Sequence, residues 1–367
     1  MIIRPIESDL TMYLHSKAGA RHIPLNGTFE LTPLCNMQCK MCYVRMENQE
    51  QEAIHPLLTT EQWLRLAEEA RDQGMLYLLL TGGEPFLRPD FPRLLGALNK
   101  MGLLVSVNTN GTLIDEKTVE WLKETPPLRL NVTLYGASDE TYARLCGNPN
   151  GYRQVCHALR LLRDAGINVK LNCSLTPANC HDLEAIFAFA EKENLLLQAS
   201  SYMFPPLRRD KTQIGQNYRF TPEEAAYYAA KIEALSLGRE RFLAADASEL
   251  SIGSDCLEGG KIRCQAGRAS FWLSWDGHLM PCGMLDTEEA PSVLEQGFSA
   301  AWEEVWKRSE EIRLPAACNG CGAQDTCMSC AAMVYTESGC YHQVPAYRCA
   351  MTAAYPAQLR KVQEEFR

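Results

Sequence analysis

No apolar run in this 367-residue chain reaches the ~18 residues that a membrane-spanning helix requires. The opening Met1-Ile2-Ile3-Arg4-Pro5-Ile6-Glu7 also lacks the apolar stretch of a secretory signal. Neither a membrane nor export is expected, and the sequence reads as cytoplasmic. Positive charge is scarce: 36 lysines and arginines against 45 acids leave a formal net charge of -9. That balance speaks against a surface built to neutralise phosphate backbones, so nucleic acid is not expected as a partner. There is no internal repeat and no low-complexity tract. With 46% apolar and 22% charged residues, global disorder is excluded, and the length accommodates about two domains.

What the chain has in excess is cysteine, 16 in all and clustered. In a reducing compartment clustered thiols point to metal ligation or catalysis rather than to disulfides.

From about residue 28 to 203, short apolar runs alternate with amphipathic stretches, the pattern of βα units on a parallel sheet. Six strands are expected, at 28–32, 75–80, 103–109, 128–135, 167–175 and 195–203. Trp63, Leu66, Ala67 and Ala70 recur at helical spacing between them, as do Val155, Ala158, Leu159 and Leu162, and Leu183, Ile186, Phe187 and Ala190. The fold class is therefore α/β, a partial (β/α)6 barrel with its chemistry at the C-terminal ends of the strands. Residues 1–27 form a short extension, 28–203 the barrel, and 204–250 a linker and helix, with Thr221 placed to cap and Pro222 suited to the first turn. Residues 251–350 form a small cysteine-rich domain with one amphipathic helix carrying Phe298, Trp302, Val305 and Trp306, and 351–367 form a terminal helix. So little regular core in the small domain implies metal staples.

Cys35, Cys39 and Cys42, with three- and two-residue gaps, fall in the loop leaving the first strand. Three thiolates can hold three irons of a [4Fe-4S] cube and leave the fourth open. A structural zinc site would need a fourth ligand, and the nearest histidine, His55, lies on an unremarkable loop. Gly82-Gly83-Glu84-Pro85 ends the second strand, Asn108-Thr109-Asn110-Gly111-Thr112 the third, and Thr133-Leu134-Tyr135-Gly136 the fourth. In this order the motifs resemble the radical S-adenosylmethionine (SAM) superfamily. The resemblance implies that Cys35, Cys39 and Cys42 carry a SAM-binding cluster. It also implies that Gly82, Gly83 and Glu84 contact the methionine amino group, and that Asn110, Thr133 and Arg144 border the cofactor. It further implies reductive cleavage of SAM to a 5′-deoxyadenosyl radical that abstracts hydrogen from substrate, the protein supplying orientation and exclusion of water. An external electron donor of flavodoxin or ferredoxin type is then a partner.

A second group of thiols, Cys256, Cys264, Cys282, Cys318, Cys321, Cys327, Cys330, Cys340 and Cys349, resembles the SPASM extension of that superfamily. By that pattern Cys256, Cys264, Cys282 and Cys330 hold one auxiliary [4Fe-4S] cluster, with Cys340 the substitute for Cys330, because only Met328 and Ser329 separate it from Cys327. Cys318, Cys321, Cys327 and Cys349 hold the other. Three clusters require twelve irons, while zinc ribbons would use the same thiols. Cys146, Cys156, Cys173 and Cys180 read as buried structural cysteines. Asp276 reads as a turn residue, and Arg208, Arg209 and Lys211 as a basic run either solvated or facing an acidic substrate. Tyr135 and Tyr202 stand at strand ends, lining the cavity or packing.

The resemblance to SPASM-type enzymes implies oxidative modification of a ribosomally made peptide, by a thioether or carbon–carbon crosslink. Only 34 residues precede Cys35, so leader recognition is expected to use a separate protein or the cavity itself. Two enzymatic alternatives stand beside this. One is formylglycine formation in a sulfatase, where family members carry an acid at the position of Gly283. The other is oxidation of a small haem- or quinone-type precursor. An electron carrier without SAM turnover would explain the cysteines but not Gly82-Gly83-Glu84-Pro85.

Overall fold

The computed structural model describes residues 9–206, 218–244, 260–262, 264–285, 289–323, 326–327 and 329–367. Cys256 and the run Arg208, Arg209 and Lys211 lie outside the described residues.

Six parallel strands form in chain order: β1 Asn26–Glu30, β2 Tyr77–Thr81, β3 Leu104–Thr109, β4 Arg129–Thr133, β5 Val169–Ser174 and β6 Leu196–Ser200. Each lies within two residues of its expected start, and each pairs in sequence order, as βα units dictate. Two further strands were not expected. β7 Ser270–Leu273 pairs parallel with β1 and β8 Leu279–Met280 antiparallel with β7, giving the order β6-β5-β4-β3-β2-β1-β7-β8. The cysteine-rich region thus adds two strands to the barrel sheet.

Alternation divides the strands into two faces. Phe29, Leu78, Leu80, Val105, Val107, Leu130, Val132 and Leu171 are buried in one core under the helices. Phe29 meets Trp63 at 5.0 Å between ring centres, on the helix Thr60–Asp72. That helix begins with a capping box: Gln62 N–H donates to Thr59 Oγ1, and the Gln62 side chain accepts from Thr59 N–H. The opposite face is polar, carrying Glu30, Thr81, Asn108, Asn131, Lys170 and Gln198. It stays open where β6 exposes Gln198 and Ser200.

The same core continues into the cysteine-rich region. Phe298 packs on Phe271 at 5.0 Å, and Trp302 Nε1 donates to the carbonyl of His22 at 2.7 Å. Both residues lie in the helical stretch Val293–Glu311, which breaks at Gly297. The small region is therefore stapled by shared barrel core as well as by any metal. As expected, Thr221 caps the helix Pro222–Leu237 with Pro222 in its first turn. The terminal helix Ala346–Glu365 packs against it, with Tyr227 Oη donating to Glu365 at 2.8 Å.

Where these parts meet, Arg219 and Glu337 form a buried ion pair at 2.6 Å. Tyr202 Oη donates to the same carboxylate at 2.7 Å, and Tyr347 lies face-on to the Arg219 guanidinium at 3.6 Å. Tyr202 is thus committed to a junction rather than to lining a cavity. A buried pair whose remaining donors and acceptors are satisfied fixes geometry more than it adds stability.

Candidate functional site

The loop carrying Cys35, Cys39 and Cys42 leaves the C-terminal end of β1 and is built by its neighbours' backbone. The β1–β2 ladder runs past the strands: Leu31 N–H donates to Thr81 O at 2.8 Å, Gly83 N–H to Thr32 O at 2.7 Å and Glu84 N–H to Leu34 O at 2.9 Å. This close approach is why Gly82-Gly83 is glycine. A Cβ on Gly82 would lie 2.4 Å from Thr32 O, and one on Gly83 would lie 2.2 Å from Leu34 O, backbone against backbone. On its other side the loop docks on the helix Asp139–Cys146, with Gln38 N–H donating to Cys146 O at 2.8 Å and Lys40 N–H to Leu145 O at 3.1 Å. Met37 and Met41 anchor it in the core.

Glu84 is fully buried and latches β2 to β3. Its Oε1 accepts from Thr109 Oγ1 at 2.8 Å and Phe86 N–H at 3.1 Å, and its Oε2 accepts from Asn110 N–H at 2.7 Å. Burial pushes its carboxyl up to about 7 against these three donors. An acid whose folded value lies above its ordinary 4.5 binds its proton more readily when folded. Stability from this group is therefore fully present below about pH 4.5 and is lost as pH rises through about 7. Urea midpoints across that window are expected to fall in the metal-free protein and level above it, and a Glu84→Gln variant should lose that slope; an unchanged slope would assign it elsewhere.

Asn110 ties β3 to the cysteine loop. Its Nδ2 donates to Asn36 Oδ1 at 2.8 Å and lies 3.8 Å from Cys35 Sγ, while its Oδ1 accepts from Thr112 N–H at 2.9 Å. Thr133 ends β4 beside Asn172. Arg144 turns toward the loop after β5, where its guanidinium donates to Ala178 O at 2.8 Å and meets His181 Nε2 at 3.1 Å. His55 caps a short helix and contacts Pro56 O at 2.6 Å. Asp276 is the turn residue expected, its carboxylate 3.2 Å from His278 Nδ1.

The donor set fits an iron–sulfur cube. None of the described cysteines is in a disulfide. Cys35 Sγ accepts from Met37 N–H at 3.4 Å and Cys42 Sγ from Arg45 N–H at 3.3 Å, the kind of N–H···S contact that supports thiolate charge. Burial raises Cys35 to about 12. Cys39 is held below the usual thiol range by a hydrogen bond from Cys146, assisted by the Tyr135 hydroxyl, despite its burial. Among the described residues no three acidic, histidine or cysteine side chains converge on a single ion. A cube does not ask for that, because each thiolate binds a different iron. The contacts of Cys146 and Tyr135 with Cys39 were not visible in the sequence, where Cys146 carries no motif and meets the loop only through the fold.

In the cysteine-rich region, Cys318 and Cys349 each lie within electrostatic reach of Cys321 and Cys327, and burial with these neighbours raises both thiols. Cys330 precedes the helix Ala331–Ser338, feels Cys264, and has Arg348 nearby. Cys340 contacts Ser338 instead. Gly283, after Cys282, lies against the Trp272 ring, where a Cβ would come within 2.4 Å.

Among the described residues no helix is long and apolar enough to cross a membrane. Residues 29–190 match the family model of the Radical SAM superfamily. An AdoMet-dependent heme synthase of Methanosarcina barkeri is 26% identical, covering 87% of this chain and 94% of its own. A PqqA peptide cyclase of Granulibacter bethesdensis is 26% identical over 76% of this chain and 74% of its own. The crystal structure of Streptococcus suis SuiB bound to its precursor peptide SuiA shares the fold, with a TM-score of 0.67 at 17% identity over 95% of this chain and 82% of that one. Membership of the superfamily brings a [4Fe-4S] cluster and SAM as cofactors. The chain carries a Radical SAM domain and is an enzyme of that superfamily.

Proposed function

We propose that this enzyme oxidatively modifies a ribosomally made peptide, forming a thioether or carbon–carbon crosslink. The observation that carries the reading is a three-thiol loop at the C-terminal mouth of a barrel whose polar inner face is exposed along β6. Relatives named as a peptide cyclase and a protein solved with its precursor peptide support it.

In this reading Cys35, Cys39 and Cys42 hold the SAM-binding cluster. Bound together, cluster and SAM supply the radical that removes a substrate hydrogen. Gly82 and Gly83 present backbone to the methionine end of SAM, the Glu84 carboxylate holding that backbone in place from beneath. Asn110, Thr133 and Arg144 border the cofactor. A SPASM-type region holds two auxiliary clusters, one on Cys318, Cys321, Cys327 and Cys349, the other on Cys256, Cys264, Cys282 and Cys330. The proximity of Cys330 to Cys264 favours it over Cys340. A separate leader-binding protein and a flavodoxin- or ferredoxin-type donor complete the partners.

A second reading, oxidation of a haem-type precursor, is favoured by the near full-length match to heme synthases. Sulfatase maturation is disfavoured, since the tight Gly283 site against Trp272 has no space for an acidic side chain. Mass spectrometry of candidate peptides co-expressed anaerobically with the enzyme tests the proposal. A loss of about 2 Da per crosslink, absent with Cys35→Ala, is expected. No mass change in peptides, with mass loss from a carboxylated tetrapyrrole, would transfer the assignment to the second reading.

A further inference from the structure

On the inner face of β4 and β5, Arg129 and Lys170 stand together with no carboxylate paired to either among the described residues. Lys170 faces Asn131 across the ladder, and Arg129 is the next inward residue down β4. Both reach toward the cysteine loop. Arg129 Nε donates to Asn131 Oδ1 at 3.0 Å, and Lys170 Nζ donates to Gln198 Oε1, on a residue level with Asn172 and so one inward step above Lys170. Asn131 Nδ2 donates in turn to Asn108 Oδ1 at 2.9 Å.

The amide oxygens of Asn131, Asn108 and Gln198 are therefore each taken by a donor. What these five side chains have left for the lumen is N–H: a guanidinium fork, an ammonium, and the amide nitrogens of Asn108 and Gln198. Burial and the neighbouring Arg129 hold the Lys170 ammonium below the ordinary lysine range. Glu30, the acid facing the same lumen, accepts from Trp272 Nε1 at 2.9 Å on β1, with β2 and β3 between it and the pair. Lys170 is buried with Arg129 half-buried beside it, a costly arrangement without an anion in a chain of net charge -9, and a purely structural wall would be served by apolar residues.

We propose that Arg129 and Lys170 form a carboxylate subsite in the barrel lumen, so that the substrate carries a carboxylate held there while its reacting carbon lies above, at the cysteine loop. A planar guanidinium beside an ammonium suits a carboxylate, which accepts two parallel N–H bonds from the first and a charge-assisted bond from the second. The inference rests on the reading that the lumen holds the substrate, but leaves open which bond is made.

A brief acetic anhydride pulse followed by peptide mapping of the reconstituted full-length enzyme reads the accessibility of Lys170. Glutarate at about ten times its dissociation constant is expected to lower Lys170 acetylation about tenfold. Neutral glutaramide should give no protection, and Arg129→Gln should lose most of the glutarate effect. Equal labelling with both ligands, or full protection in Arg129→Gln, overturns the subsite. Protection by SAM alone overturns the assignment to substrate, because the carboxylate held would be the co-substrate's own. The blocked peptide Ac-Ala-Glu-Ala-NH2 protecting at lower concentration than glutarate supports a peptide carboxylate, and the reverse order supports a small carboxylic acid. The assay needs neither SAM turnover nor crosslinking, so failure of the peptide reading leaves its outcome intact.

Discussion

Replacing Cys35, Cys39 and Cys42 together with alanine is expected to abolish 5′-deoxyadenosine formation and to lower reconstituted iron from about twelve to about eight atoms per chain. The loop is held by backbone bonds from Gly83, Glu84, Gln38 and Lys40 and by buried Met37 and Met41, none of which involves a cysteine side chain. The variant should therefore keep its circular dichroism spectrum, separating loss of chemistry from loss of fold. Cys156→Ala, on the helix Gly151–Asp164, is the matched control and should retain full activity. Residual SAM cleavage in the triple variant would remove these thiols from the mechanism. An iron content near four in the parent enzyme would instead remove the two auxiliary clusters.

The second large effect is expected at Gly83, a residue with no side chain to lose. In Gly83→Ala the added methyl would meet Leu34 O at 2.2 Å, Leu34 C at 2.6 Å and Pro33 O at 2.8 Å. All three atoms are main chain, immediately before Cys35, so no rotamer change relieves the contact. The ladder bonds from Gly83 and Glu84 must open, costing about 3 kcal/mol or more. We expect a lowered urea midpoint together with weak retention of the SAM-binding cluster during gel filtration. Gly166→Ala is a useful contrast: it has positive φ but nothing within 4 Å of an added Cβ, so strain acts there without collision and the cluster should be kept. Equal cluster loss in both variants would show that general destabilisation, rather than displacement of the cysteine loop, is responsible.

The barrel was legible because its signals are local. Six apolar runs with helical stretches between them fix parallel pairing in sequence order, and Thr221-Pro222 announces its helix by capping chemistry alone. β7 and β8 escaped notice because they are short, lie among cysteines, and are strands only by virtue of β1. The positions of Cys35, Cys39 and Cys42 were legible from spacing, and the glycines beside them from motif. The reason for those glycines was not, since the atoms that exclude a Cβ belong to a loop some fifty residues earlier in the chain. Tyr202 was open between cavity and packing until Glu337 and Arg219, distant in sequence, took its hydroxyl and its neighbourhood. Arg129 and Lys170 gave no signal at all: each is a lone cation at a strand, and only register sets them diagonally across β4 and β5.

The parallel pairing of β7 with β1 bears on how the chain can be divided. β1, which launches the cysteine loop, has β2 on one side and β7 on the other, and Phe271 and Phe298 fill the core beside it. A fragment ending before β7 would leave β1 as a bare edge with its hydrogen-bonding groups unpaired, next to an uncovered aromatic face. The strand that launches the three-thiol loop would then be the one most exposed to pairing with other chains. The barrel and the cysteine-rich region are thus one folding unit along this edge: neither can be cut away without baring the other's strand.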